Sequence, residues 1–194
     1  MKRINLDISH RCTLECSKCL RQYYKSLGMR VPGYDMTVEE YRKIIAYFKD
    51  VRFCGNVSDP VFNPNFIDFL KLNFENDIVT RVHHAATGKS LDWYKKAFEA
   101  NPKAIWIFGI DGLPEDSHKY RVNQDGVALF EAMKLCRDMG LISTWAHLIF
   151  KYNEKTMDSC RQLANDNNIP IYFVKSSRFE INDPLRPENK ENYL

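Results

Sequence analysis

Cys12, Cys16 and Cys19 fall within one short stretch, Cys12-Thr13-Leu14-Glu15-Cys16-Ser17-Lys18-Cys19. Thiolates so close in sequence converge on one metal centre with little loss of chain entropy, and three ligands leave a coordination position open for chemistry. Structural zinc is the plainer alternative, with His10 or Cys54 as the fourth ligand. Other reactive side chains come in short groups. Gly55-Asn56-Val57-Ser58-Asp59-Pro60 is one, and Ala86-Thr87-Gly88 is a second. Asp111-Gly112 with Arg121 is a third, and the guanidinium of Arg121 suits a bidentate grip on a carboxylate. Lys151 and Arg178 are candidate contacts for an anionic substrate, with Asn153 beside the first of them.

These groups need elements to position them. Ile4, Leu6 and Ile8 alternate with polar residues, so Arg3 to Ser9 is expected to form a first strand. Leu20 to Asp35, with Gly28, Pro32 and Gly33, reads as a long loop. Thr37 and Glu40 form a capping box ahead of a helix carrying Tyr41, Ile44, Ile45 and Phe48. Val51 to Cys54 is a second strand. Asn63 and Pro64 open a helix with Phe66, Phe69, Leu70 and Leu72 on its apolar face. Ile78 to His83 is a third strand, and Ser90 caps the next helix, which runs through Ala100. Ala104 to Ile110 is a buried strand. Asp125 starts a helix with Val127, Phe130, Met133 and Cys136 inward, which Gly140 ends. Ile142 to Phe150, Thr156 to Asn167 and Ile169 to Val174 complete the alternation as strand, helix and strand.

Strands alternating with helices imply parallel pairing. Six of them predict an α/β fold, a partial (β/α)6 barrel like an incomplete TIM barrel. Its domain is expected to span residues 1–179, and 180–194 to form a loose, polar C-terminal tail. Chemistry in such folds lies at the C-terminal strand ends. The reactive groups fall after strands 1 to 6 in turn, which argues for one site at the barrel mouth. His83 and His84 end strand 3, and only one can face inward; His84 is the expected interior residue. His147, within strand 5, reads as a core histidine with its hydrogen bonds satisfied. Cys54, Cys136 and Cys160 stand singly and read as small core residues.

The chain has 194 residues, a formal charge of +3 and 44% hydrophobic residues, which suits a single core. No stretch is apolar enough to span a bilayer, and the charged start is unlike a signal peptide. A soluble, cytoplasmic protein without a membrane partner is expected, and the clustered cysteines fit a reducing compartment. Nothing interleaves aromatic with basic residues as a nucleic-acid partner would require.

On these motifs the chain resembles the radical S-adenosylmethionine (SAM) superfamily. Cys12, Cys16 and Cys19 match its C-x3-C-x2-C signature after strand 1. Gly55 to Pro60 is similar to its glycine-rich strand-2 motif, and Ala86-Thr87-Gly88 to its T-N-G turn. Ile110 to Leu113 with Tyr120-Arg121, and Phe150 to Glu154, resemble the branch of molybdenum-cofactor biosynthesis and peptide-maturing enzymes. The resemblance implies an oxygen-sensitive enzyme whose [4Fe–4S] cluster cleaves SAM to a 5′-deoxyadenosyl radical that takes hydrogen from a substrate. It implies SAM contacts from Lys18, Gly55, Asn56, Ser58, Asp59, Thr87, Asp111 and Arg121, with Asp59 accepting the SAM ammonium group. His84, Lys151, Asn153 and Arg178 are the implied substrate contacts. Lys18 stands where the family places a ring beside the adenine, and Tyr23 or Tyr24 is the candidate replacement. No second cluster is expected, since the remaining cysteines are not spaced for one. The substrate class stays open among peptide, nucleotide and small molecule. An electron donor such as flavodoxin or ferredoxin is implied, for which Arg11, Lys18, Arg21, Lys25 and Arg30 offer a basic docking patch. The alternative is a non-catalytic iron–sulfur or zinc protein of the same fold, for electron transfer or partner binding.

Overall fold

The structure, a computed structural model, describes residues 2–194. Six strands form one sheet in the order β1 to β6, all parallel. They are β1 Arg3–Leu6, β2 Asp50–Phe53, β3 Val79–His84, β4 Ile105–Gly109, β5 Ile142–Leu148 and β6 Ile171–Val174. The helices are α1 Leu20–Ser26, α2 Val38–Ile45, α3 Phe66–Glu75, α4 Leu91–Ala100, α5 Gly126–Asp138 and α6 Met157–Asp166. This is the expected partial barrel. β1 and β6 remain as edges, so the barrel is open on one side. No helix among the described residues is long and apolar enough to cross a membrane.

Period-2 alternation sorts each strand's side chains into two faces. Val51, Phe53, Val82, Trp106, Phe108 and Trp145 point toward the helices and are fully buried. They meet Tyr41, Phe66, Phe69 and Phe98 in a continuous aromatic core, in which Tyr41 stacks on Phe69 at 4.3 Å and Phe98 meets Trp106 edge-on at 4.9 Å. Truncating any one of these rings to Ala would cost about 3–5 kcal/mol. The capping box forms as expected, with Thr37 and Glu40 each satisfying the other's backbone N–H. A second, smaller apolar cluster sits at the strand ends and includes Leu14, Cys16, Ala86, Tyr120 and Phe150.

Four expectations are corrected. Leu20–Ser26 is helical where a loop was expected; it buries no residue, so it carries no apolar period to betray it. Val127 is half exposed rather than inward, whereas Phe130, Met133 and Cys136 are buried. The chain after Phe179 is not loose. Glu154 accepts backbone N–H groups of Glu188 and Asn189, Leu185 accepts from the Lys151 N–H, and Leu194 donates to Ser176. His147 is in the core, but neither ring nitrogen has a hydrogen-bond partner.

That last feature sets a pH dependence. Burial drives the His147 pKa below its ordinary value. The unfolded chain therefore takes up a proton that the folded chain refuses, and stability falls as pH drops below about 6.5. A His147→Phe variant should lose part of this acid limb, read as a flatter melting temperature between pH 7 and pH 5. An unchanged limb would show that His147 does not set it.

Candidate active site

The strand ends surround a cavity of about 600 Å³ lined by Cys12, Cys16, Cys19, Cys54, residues 55–59, His83, His84, Tyr120, Arg121 and residues 175–178. All six cysteines are free. The loop that bears the three clustered thiols follows β1 and is fastened on several sides. Glu15 N–H donates to the Val122 carbonyl at 3.0 Å, and the Thr13 hydroxyl donates to the Thr87 carbonyl at 3.0 Å. Arg21 reaches back from α1 to the carbonyls of His10 at 2.6 Å and Val57 at 3.3 Å. These bonds hold the loop against the ends of β2, β3 and β4.

The loop after β2 is shaped by Asp7. Its carboxylate accepts from the backbone N–H groups of Asn56 at 2.8 Å and Val57 at 3.2 Å, and from the Ser58 hydroxyl. The turn is so tight that a Cβ on Gly55 would lie 1.8 Å from the Ser58 carbonyl oxygen, which excludes every side chain there. Gly55, Asn56 and Ser58 line the cavity. Asp59 lines it too, but both of its oxygens are engaged. They accept from Ala85 N–H at 2.8 Å, Ala86 N–H at 2.9 Å, Val61 N–H at 3.3 Å and the His84 ring at 3.1 Å. Burial pushes its pKa up, but His84 and the two strand-end N–H groups outweigh it and hold the carboxyl below its usual range. Asp59 therefore braces the end of β3, and an ammonium ligand would have to compete for it.

His84 borders the cavity beside Asp59, but both of its ring nitrogens are already engaged within the chain. It is buried on the helix side, with Nε2 2.5 Å from the Tyr94 hydroxyl of α4. His83 holds the concave position and lines the cavity. The β3 alternation carried this information, but the phase is settled only by Val82, which enters the helix-side core.

Asp111 is fully buried and does not line the cavity. It accepts from the Leu148 N–H at 2.8 Å and pairs with Arg121 Nε at 2.8 Å. The carboxylate that Arg121 grips is thus the protein's own. The rest of its guanidinium enters the cavity beside Cys16, through space left by Gly109, where a Cβ would stand 2.8 Å from Arg121 Nη2. Burial pushes the Cys16 thiol up to about 11, and Arg121 acts against that rise. Burial, with Asp59, raises Cys12 to about 12. Both thiols must give up protons on binding a metal.

Thr87 joins loops rather than lining the cavity: its hydroxyl donates to the Asn123 carbonyl and accepts from the Asp125 N–H. Asn153 is buried and closes the turn after β5, accepting from Phe150 N–H and donating to Leu148. Lys151 is exposed and pairs with Glu188 at 3.1 Å. Neither lines the cavity. Arg178 does line it. Cys54, expected in the core, lines it as well.

Lys18 points outward, to Asp183 of the C-terminal segment at 2.5 Å, and lines a second hollow of about 640 Å³ with Tyr23. Neither Tyr23 nor Tyr24 lines the inner cavity; Tyr120 does, its ring tilted against that of Phe150 with centroids 4.2 Å apart. The basic patch is largely spent within the chain. Arg11 pairs with Asp35, Lys25 with Glu15 and Lys18 with Asp183, while Arg21 serves loop carbonyls. Sequence reasoning missed Asp7 and Gln124, and named Tyr120 only as the neighbour of Arg121 in a motif. Asp7 was findable, since it lies opposite Leu6 and Ile8 in the β1 alternation. Gln124, which donates to the carbonyls of Ala85 at 2.5 Å and Gly109 at 2.9 Å, left no signal.

Three soft, free thiols facing one cavity match the donor set of an iron–sulfur cluster. No three His, Cys, Asp or Glu side chains among the described residues converge as the ligands of a single ion would.

No protein-family model matches the chain, and no curated protein does. Solved structures do. Streptococcus suis SuiB bound to S-adenosylmethionine gives a TM-score of 0.71 at 13% identity, over 96% of this chain and 43% of that one. Native anSMEcpe with bound AdoMet gives 0.66 at 15%, over 89% and 50%. Methylornithine synthase PylB gives 0.64 at 18%, over 97% and 58%. These are radical SAM enzymes, and the chain has their fold. It spans about half the length of the solved structures it matches.

The ion pair between Lys18 and Asp183 fastens the C-terminal segment to the cysteine loop, and the Asp183 side chain is 1% exposed. Lys18→Met would leave that carboxylate buried without its partner. Limited proteolysis beyond residue 179 should then run roughly tenfold faster or more. Cleavage at the wild-type rate would show that the pair does not hold the segment.

Proposed function

We propose that this chain is a radical SAM enzyme, with a [4Fe–4S] cluster held by Cys12, Cys16 and Cys19 and SAM bound in the cavity beside it. The observation that carries this reading is the opening of all three free thiols onto one cavity at the strand ends of a radical SAM fold. When bound, the cluster and SAM supply reductive cleavage to a 5′-deoxyadenosyl radical, which takes a hydrogen atom from the substrate.

The chain's own residues have separable tasks in this reading. Asp7 and Gly55 set the path of the loop after β2, so that the backbone of residues 55–58 faces the ligand's polar end. Arg121, held on Asp111, keeps a fixed positive charge beside Cys16 and can receive a carboxylate on its remaining N–H groups. Tyr120, Phe150, Leu14 and Ala86 form an apolar wall that keeps water from the thiols. Asp59 fixes the end of β3, and through it the position of His83. An electron donor of the flavodoxin or ferredoxin kind belongs to the same reading. Arg21 and Arg30 form no ion pair among the described residues, and of the two only Arg30, in the segment after α1, is not engaged by loop carbonyls. Arg21→Glu would break the loop's internal bonds, so it does not test docking.

The second reading is a four-thiol zinc site without catalysis: Cys54 lines the same cavity, but the four thiols do not converge as the ligands of one ion.

Anaerobically purified protein should contain iron and acid-labile sulfide in equal amounts. With reductant and SAM it should release 5′-deoxyadenosine and methionine. Cys16→Ala should abolish both properties, and Arg121→Met should slow SAM cleavage at least tenfold with the iron retained. Stoichiometric zinc without sulfide would establish the second reading instead.

A further inference from the structure

The concave face of the sheet carries a cation with no partner. Alternation along β2 places Asp50, Arg52 and Cys54 on that face, and along β3 it places Arg81 and His83 there. The strand register sets Arg52 directly beside Arg81. Asp50, buried at the foot of this group, is shared by Arg3 at 2.8 Å and Arg81 at 2.5 Å. One carboxylate thus already serves two guanidinium groups. Arg52 forms no ion pair among the described residues, and its Nε is buried without a hydrogen-bond partner.

A buried guanidinium N–H with no acceptor is costly, and a second guanidinium alongside raises the cost. Such an arrangement is stable in use when an anion completes it. Arg52 sits one step below the cavity: Cys54 and His83, the next residues along the same strand faces, line the cavity. The Arg52 charge is felt at the Cys54 thiol and at the Tyr172 hydroxyl on the opposite side of the barrel. His83 has its pKa lowered by burial, then by Arg52 and Arg81. The floor of the cavity therefore presents a neutral imidazole with uncompensated positive charge behind it, at some remove from the three thiols at the mouth.

We propose that the substrate is an oxyanion, whose carboxylate or phosphate group seats on the cavity floor against Arg52 and His83. A neutral acceptor could pair the Arg52 N–H but would leave its positive charge uncompensated beside Arg81, and a cationic group would add to the repulsion. This inference rests on the cavity being the site described under Proposed function, but its test needs neither SAM cleavage nor cluster reduction.

The test is a pH titration of the histidine imidazoles by NMR on the purified full chain, alone, with inorganic phosphate and with acetate. Exposed His118 is the internal reference for non-specific salt effects. Phosphate should raise the His83 midpoint by about one unit, well beyond any change at His118. In Arg52→Gln the midpoint should start higher, because a repelling charge is gone, and phosphate should no longer move it. Arg52→Lys should keep part of the response and guards against a misfolded Gln variant. A response to acetate as strong as to phosphate assigns a carboxylate substrate, and a response to phosphate alone assigns a phosphorylated one. A His83 shift no larger than that of His118 with either anion, or an equal shift in Arg52→Gln, overturns the proposal. Loss of SAM cleavage with the His83 response intact would instead count against the cluster reading alone.

Discussion

The carboxylate of Asp59 is the joint on which the mouth of the barrel depends. Its side chain accepts two backbone N–H groups from the end of β3 and one ring nitrogen of His84, whose other nitrogen reaches α4 through Tyr94. Its own backbone N–H donates to the Arg11 carbonyl, next to the first cysteine, at 2.9 Å. One residue thus ties the loop after β1, the loop after β2, the tip of β3 and a helix of the outer layer. Parallel strands end with unpaired N–H groups, and these must be satisfied where the sheet stops. Here they are satisfied by a buried acid, which lets three loops with no secondary structure of their own keep fixed positions.

The same economy governs the next strand ends. Gln124 bridges the carbonyls that end β3 and β4, and Asp111 bridges β4 and β5 by taking the Leu148 N–H. Asp111 then carries Arg121 into the cavity. A network of this kind is strong only when each member is satisfied. It is satisfied at the rim, around Asp59 and Gln124, and left open at the floor, around Arg52.

The alternating pattern of the sequence made the fold legible, because parallel strands buried on the helix side need Val, Phe and Trp at every second position. The cysteine spacing and the glycine-rich turn made the mouth legible for a similar reason: a tight backbone path narrows the residues that fit. Phase and polar partnership were not legible. Whether His83 or His84 faces inward turns on a one-residue shift of strand phase, and Asp59 and Asp111 look alike in sequence whether they meet a ligand or a strand end. α1 was hidden because it buries nothing. The role of Lys18 was hidden because its partner, Asp183, is far away in sequence.

The sheet stops at six strands, and the segment after Phe179 stands beside its last edge. The strands beneath the cavity are joined in one ladder, and moving one of them would break a row of hydrogen bonds at once. The segment is held by separate polar contacts, which can be released one at a time. The bore of the barrel is therefore rigid around most of its circumference and adjustable along one seam.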